Sequence, residues 1–348
     1  MKWLSLAFLL LVFLYEGRAT TFDVSWSKAT TIDNERPIIG VLSQEMSYYL
    51  DSIYPGKYSS YIAASYVKLI EGSGARVVPI WIGKEKAYYE DIMGKINGVL
   101  FPGGATWFNQ SGGYADAGEN IYNIAKDLND DGDYFPLWGT CLGFELLSYL
   151  SDNRNDHRAV CSSERETLNL EFKNDFQTSK MFKGAPSDVV SILSNEKVTS
   201  NFHSFCITED ILSKFSNDWR VLSLNDDVNG LKFVSSMESQ NYPFYGVQFH
   251  PEKNIYEWVR NRNISHSASA IKANRYFGDF LVGQARMSQH AFTDVDEENS
   301  KVIYNYNLEY SGIKGSAYEQ IYVFTGNEDS TKFMKTWRTE PDESEPHA

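Results

Sequence analysis

Cysteine is scarce in this chain of 348 residues: Cys141, Cys161 and Cys206 are all there are. So small and odd a number cannot build a disulfide scaffold, and it leaves at least one thiol over. A Cys161–Cys206 bridge can be drawn from the sequence but not assigned by it. Histidine is nearly as scarce, with six residues. His203 and Cys206 are spaced as two metal ligands could be, but no further cysteine or histidine pair completes a site, so no metal is expected. Basic charge is short as well. The 32 Lys and Arg residues face 46 Asp and Glu, a formal net charge of −14, and no Lys/Arg cluster offers a phosphate-binding face. That argues against nucleic acid as a partner. Past the N-terminus no apolar run is long enough to span a bilayer. There is no internal repeat and no linker rich in Pro, Gly or Ser, so one main domain is the simplest organisation.

The first residues carry a pattern of their own: Lys2, an apolar stretch from Trp3 to Tyr15, then Gly17 and Ala19. A basic start, a short apolar core and small residues two apart describe a cleavable secretory signal over residues 1–19. The expected destination is the secretory pathway, ending in the lysosome or the extracellular space. Two acceptor sequons, at Asn109 and Asn263, fit that route. Residues 20–324 are expected to form the domain, and residues 325–348, with "TEPDESEPHA", an acidic solvated tail.

Between those ends, short β-branched runs alternate with amphipathic ones, which argues for an α/β fold around a mostly parallel sheet. "RPIIGVLSQE", "ARVVPIW", "GVLFPGG" and "YFPLWGT" read as strands. "SSYIAASYVKLIEGSG" reads as a helix that puts Ile62, Ala63, Tyr66, Val67 and Ile70 on one face. Open α/β sheets bind ligands beyond the carboxyl ends of their strands. Three chemically suggestive stretches fall at such ends: Gly103-Gly104, Gly139 to Gly143, and His250 to Glu252.

"PLWGTCLGFELL" sets Cys141 between Gly139 and Gly143, after a strand and before a helix, which is the layout of a nucleophile elbow. The glycines remove side chains where strand and helix backbones converge, and the free N–H groups of the helix start favour an anion. A thiol nucleophile needs a base. His250 ends an alternating strand, and Glu252, two residues on in extended chain, is placed to hold the imidazole. The N–H of Leu142, with that of Gly103 or Gly104, is the candidate oxyanion hole.

Gly-x-Cys-x-Gly at a strand end with a later His-Pro-Glu resembles the class I glutamine amidotransferases. "YIAASYVK", "NGVLFPGG", "DDGDYFPLWGTCLGFE", "NFH" and "YPFYGVQFHPEKNIYEW" are similar to the gamma-glutamyl hydrolase family, over about Arg36 to Phe324. The resemblance implies a flavodoxin-like three-layer sandwich. It also implies a thiol hydrolase, an omega-peptidase, that removes glutamates from poly-gamma-glutamyl folates and antifolates without a cofactor. It assigns Cys141 as nucleophile, His250 as proton donor and Glu252 as third member. His203 matches an active-site-proximal histidine of open role. Amidotransferases usually carry Gln four residues beyond the nucleophile; here Glu145 stands there, either to meet the substrate's amino group or to fix the elbow. Oligomeric state stays open, a homodimer included.

Two tensions follow. Half-ionising an ordinary thiol, of pKa ~8.5, at pH ~5 costs about 5 kcal/mol, and a helix N-terminus returns only ~0.3–2 kcal/mol. Pairing with protonated His250 must supply the rest, or only a minor thiolate fraction reacts. An acidic protein also needs local cations for a polyanionic substrate. Lys57, Lys84, Lys86 and Lys253 are the candidates by loop position.

Overall fold

The structure is a computed structural model that describes residues 33–215 and 218–326. These residues belong to one compact unit that begins at Asp33. The expected signal segment, residues 1–19, and nearly all of the expected acidic tail lie outside the described residues.

Alternation within single strands sets up the layers. In Ile38–Leu42, Ile39 and Val41 pack into one apolar cluster while Ile38 and Leu42 pack into another, so the strand is covered on both faces. The central sheet runs Arg76–Ile80, Ile38–Leu42, Val99–Phe101, Leu137–Thr140, Phe244–Val247, Lys232–Ser239, Trp219–Asp226, Glu171–Phe172. The first five strands are parallel, and the last three join antiparallel. Helices Ala64–Gly72 and Ala268–Ala285 cover one face through Tyr66, Ile70, Phe277 and Leu281. Helices Tyr114–Asp130 and Leu142–Ser151 cover the other through Ile121, Phe144 and Leu147. The fold is therefore α/β with a mostly parallel sheet between helical layers, as expected.

Two smaller sheets flank it. Leu308–Glu309, Ile321–Phe324, Ser60–Ala63 and Gln44–Glu45 form an antiparallel sheet. Ala159–Leu168 and Thr199–Cys206 form a two-stranded ribbon. Ile62 and Ala63 correct the sequence reading: they lie in the strand Ser60–Ala63, and the helix starts only at Ala64. Their apolar character suits either period, and pairing with Ile321 and Tyr322 decides for the strand. Among the described residues no helix is long and apolar enough to cross a membrane.

Candidate active site

The strands Val99–Phe101, Leu137–Thr140 and Phe244–Val247 are consecutive parallel neighbours, so the segments leaving their carboxyl ends converge. Those segments carry Gly103-Gly104, Cys141 and His250. At Cys141 the chain takes φ 51°, ψ −108°, a conformation that non-glycine residues rarely adopt, and the helix Leu142–Ser151 follows at once. The strain is held from both sides: the Cys141 N–H donates to the Val247 carbonyl at 2.8 Å, and its own carbonyl accepts from Glu145 N at 2.9 Å. A Cβ on Gly139 would lie 2.4 Å from the Gly143 carbonyl oxygen, and one on Gly143 would lie 2.0 Å from that of Phe101. Neither position admits a side chain.

Cys141 and His250 flank the same missing methyl group. A Cβ on Gly103 would sit 3.1 Å from Cys141 Cβ and 2.7 Å from His250 Cε1. His250 caps the helix Pro251–Tyr256 rather than standing in a strand, and its N–H donates to the Ser200 carbonyl at 2.8 Å. Glu252 thus reaches it from the first helical turn, not along extended chain, with Oε1 2.7 Å from Nδ1. That bond leaves Nε2 for a reacting group. The Tyr66 hydroxyl, which the sequence had marked only as part of an apolar helix face, stands 3.2 Å from the same Nδ1 and accepts from Gly103 N at 2.8 Å. The Gly103 N–H is therefore engaged. Among the described residues the Gly104 N–H has no partner.

Burial governs the charges. It pushes the Cys141 thiol well up, and the carboxylates of Glu145 and Glu252 push it further; Lys253 and the Leu142 N–H pull the other way. Burial pushes His250 down against the opposing charge of Glu252. Burial pushes Glu252 up, yet it is held below the usual carboxylate range by the His250 ring and by Lys253.

Glu145 is buried, with one oxygen 3.0 Å from Arg158 and the other 3.0 Å from Gln248 Nε2. Burial pushes it up to about 7 although Arg158 and Gln248 pull down. Both of its oxygens are engaged inside the protein. Arg158 and Gln248 were not foreseen, since nothing in a lone arginine and a strand-end glutamine marks them.

His203 lies on the ribbon strand Thr199–Cys206, not on a loop. Its Nδ1 is 3.4 Å from the sulfurs of both Cys161 and Cys206, and its Nε2 is 3.2 Å from Asn201 Oδ1. Burial lowers it to about 3, so the ring is neutral. Cys161 and Cys206 are bonded to each other, leaving Cys141 as the free thiol. The three side chains Cys161, His203 and Cys206 are gathered closely enough for a metal, but as a disulfide the sulfurs offer no thiolates.

A cavity of about 320 Å³ opens beside His250. Of the four lysines expected to greet an anion, Lys253 lines it. Lys57 pairs with Glu309, Lys86 pairs with Glu90, and Lys84 lies over Trp81. Asn109 is exposed in a turn, and Asn263 is exposed with its side-chain amide donating to the Arg165 carbonyl at 2.9 Å.

The peptidase C26 family model matches residues 37–252. A gamma-glutamyl hydrolase of Mus musculus is 41% identical over 297 residues, covering 84% of this chain and 90% of that protein. Gamma-glutamyl hydrolase B of Dictyostelium discoideum is 37% identical over 302 residues, 86% of each chain. The crystal structure of a glutamine amido transferase from Methylobacillus flagellatus superposes with a TM-score of 0.40 at 9% identity, over 74% of this chain and 97% of that one.

Proposed function

Since the chain belongs to the peptidase C26 family of gamma-glutamyl hydrolases, we propose that it hydrolyses gamma-glutamyl amide bonds, with poly-gamma-glutamyl folates and antifolates as substrates. The observation that carries this reading is the meeting of Cys141 and His250 across the missing side chain of Gly103, at the carboxyl ends of adjacent parallel strands.

The chemistry starts from a neutral thiol and a neutral imidazole, because burial disfavours the charged form of each. His250 Nε2 takes the thiol proton as Cys141 Sγ attacks the γ-carbonyl carbon. The ionised Glu252 stabilises the imidazolium that forms. The tetrahedral oxyanion is met by the N–H groups of Leu142 and Gly104, with Gly103 set back by Tyr66. His250 then returns the proton to the departing amine, leaving a thioester on Cys141. Water attacks the thioester with His250 again as base, and the carboxylate product leaves with the thiol restored. No cofactor enters these steps. This revises the standing thiolate–imidazolium pair: the minor-thiolate branch is the one that burial favours.

Glu145 is read as a residue that fixes the elbow through Arg158 and Gln248, and His203 as a residue that braces the ribbon. Residues 20–324 act as one catalytic domain in this reading. The pattern of residues 1–19 supports secretion or delivery to the lysosome, and the exposure of Asn109 and Asn263 is compatible with glycans there. Product analysis on a pteroyl poly-gamma-glutamate tests the whole. Shortened folates and glutamate are expected from the parent protein and none from Cys141→Ala. Equal turnover by Cys141→Ala, or release of ammonia from free glutamine with no action on the polyglutamate, would overturn it.

A further inference from the structure

The cavity beside His250 has an unusual lining for a protein of net charge −14: it carries Lys253 and Arg262 and not one carboxylate. Neither cation makes an ion pair among the described residues, although the Lys253 charge also acts on the buried carboxylates of Glu252 and Glu257. The Lys253 ammonium lies 4.6 Å from the centre of the Tyr318 ring and 5.5 Å from that of Phe202, and both rings also line the cavity. Lys253 is 5% exposed, so its charge is held in a partly dry setting where an incoming anion is attracted more strongly than in open water.

Arg262 is placed rather than merely present. Its neighbours Asn261 and Asn263 have φ of 63° and 49°, left-handed conformations that turn the loop sharply on either side. The Asn263 side chain donates to Arg165, and Thr167 Oγ1 donates to the Asn263 carbonyl at 2.8 Å. A little further on, Asn254 donates to the Ser265 carbonyl at 2.8 Å, and His266 stacks on Trp258. A loop so tied fixes the backbone from which the guanidinium extends.

Position in the reaction completes the argument. His250 lines this cavity while Cys141 does not. His250 is the group that hands a proton to the departing amine, so the cavity lies on the leaving side of the bond. Its volume is at the low end for small-ligand sites, suited to a short anionic piece rather than a fused heterocycle with its tail.

We propose that this cavity is the leaving-group subsite, in which Arg262 and Lys253 hold the carboxylates of the glutamate released from the substrate. The assignment rests on the hydrolase reading above and adds the residues that select the leaving group.

The test compares two substrates that share a γ-glutamyl acyl group and differ in what departs: γ-glutamyl-glutamate, and a γ-glutamyl anilide whose leaving group is uncharged. Arg262→Gln is expected to lower the preference for the glutamate leaving group about tenfold, chiefly through KM, with partial rescue by Arg262→Lys. A merely structural role would lower both substrates together, and an unchanged preference overturns the assignment. A binding arm separates this result from the fate of the hydrolase reading. In the Cys141→Ala protein, calorimetric binding of tri-γ-glutamate is expected to weaken about tenfold on adding Arg262→Gln. It should also weaken with salt. Such binding without turnover by the parent protein would sink the hydrolase reading and keep the subsite. Turnover with Arg262-independent binding would do the reverse.

Discussion

In the proposed mechanism, burial of Cys141 and His250 places their chemistry in the moment of attack, and this fixes how rate should depend on acidity. His250 must be unprotonated to take the thiol proton, and burial sets its pKa below the ordinary 6.5. The acid limb of kcat/KM is therefore expected below pH 6.5, so activity persists in mildly acid conditions. Glu252 opposes the effect of burial, so removing its charge lets His250 fall further. Glu252→Gln is expected to move the acid limb to still lower pH while reducing kcat. A limb that moved upward, or stayed in place, would show that Glu252 does not act through the ring. His250→Ala should cost about 10²–10⁴ in kcat with an unaltered circular dichroism spectrum. Near-normal turnover would remove His250 from the mechanism.

At the scale of the element, the elbow sets two physical effects against each other at one residue. Gly143 lies in the first turn of the helix Leu142–Ser151, where intrinsic propensity favours Ala over Gly by about 1 kcal/mol. Yet its Cβ would stand 2.0 Å from a backbone oxygen of the strand Val99–Phe101, which cannot swing aside. The clash wins, and Gly143→Ala is expected to abolish soluble folded protein or cost well over ~3 kcal/mol in a urea melt. Gly184→Ala, with nothing within 4 Å, should leave the melt unchanged. The ribbon is the second element that can be tested. Its Cys161–Cys206 bond closes a separation of 45 residues, so the Cys161→Ser/Cys206→Ser pair should lose about 2–4 kcal/mol, and reductant should do the same to the parent. Because Ser200 of that ribbon holds the His250 N–H, kcat is expected to fall with it.

These elements also show what sequence reasoning could reach. Cys141, Gly139 and Gly143 were legible because a tight corner leaves glycines at fixed offsets, and His250 because it follows an alternating apolar run and precedes Pro251, although the strand itself ends at Val247. Tyr66, Arg158, Gln248 and Arg262 were not, since each meets the site through long-range folding and carries no local signature. Ile62 and Ala63 were misplaced because an apolar run fits both periods until a partner strand selects one. The edge strand Glu171–Phe172 and the Cys161–Cys206 ribbon depend on pairings distant in sequence, which periodicity does not encode.

Over the whole molecule, the carboxylates divide by the direction in which folding moves them. Burial raises Glu145, Glu71 and Glu257, so the folded protein keeps protons that the unfolded chain has released above its ordinary value of 4.5. Their contribution to stability is complete below that value and is lost as pH climbs through the raised ones, for Glu145 at about 7. Asp156, held down by Arg158, Asp188 by Lys272 and Glu309 by Tyr58, contribute above their ordinary values and fail as pH drops through the lowered ones. Between these opposite slopes lies a mildly acid optimum. The net charge of −14 deepens it, since self-repulsion relaxes towards the isoelectric point near 4.9. Melting temperature is therefore expected to be higher at pH 5 than at pH 7.5. Glu145→Gln isolates one contributor. At pH 5 the parent side chain is protonated and nearly isosteric with the amide, so the two proteins should melt alike. By pH 7.5 the parent has lost up to about 3 kcal/mol that the variant retains, enough to separate the melts by several degrees. Parallel curves for parent and variant across that range would mean that Glu145 is already ionised at pH 5 and that its pairing with Arg158 outweighs its burial.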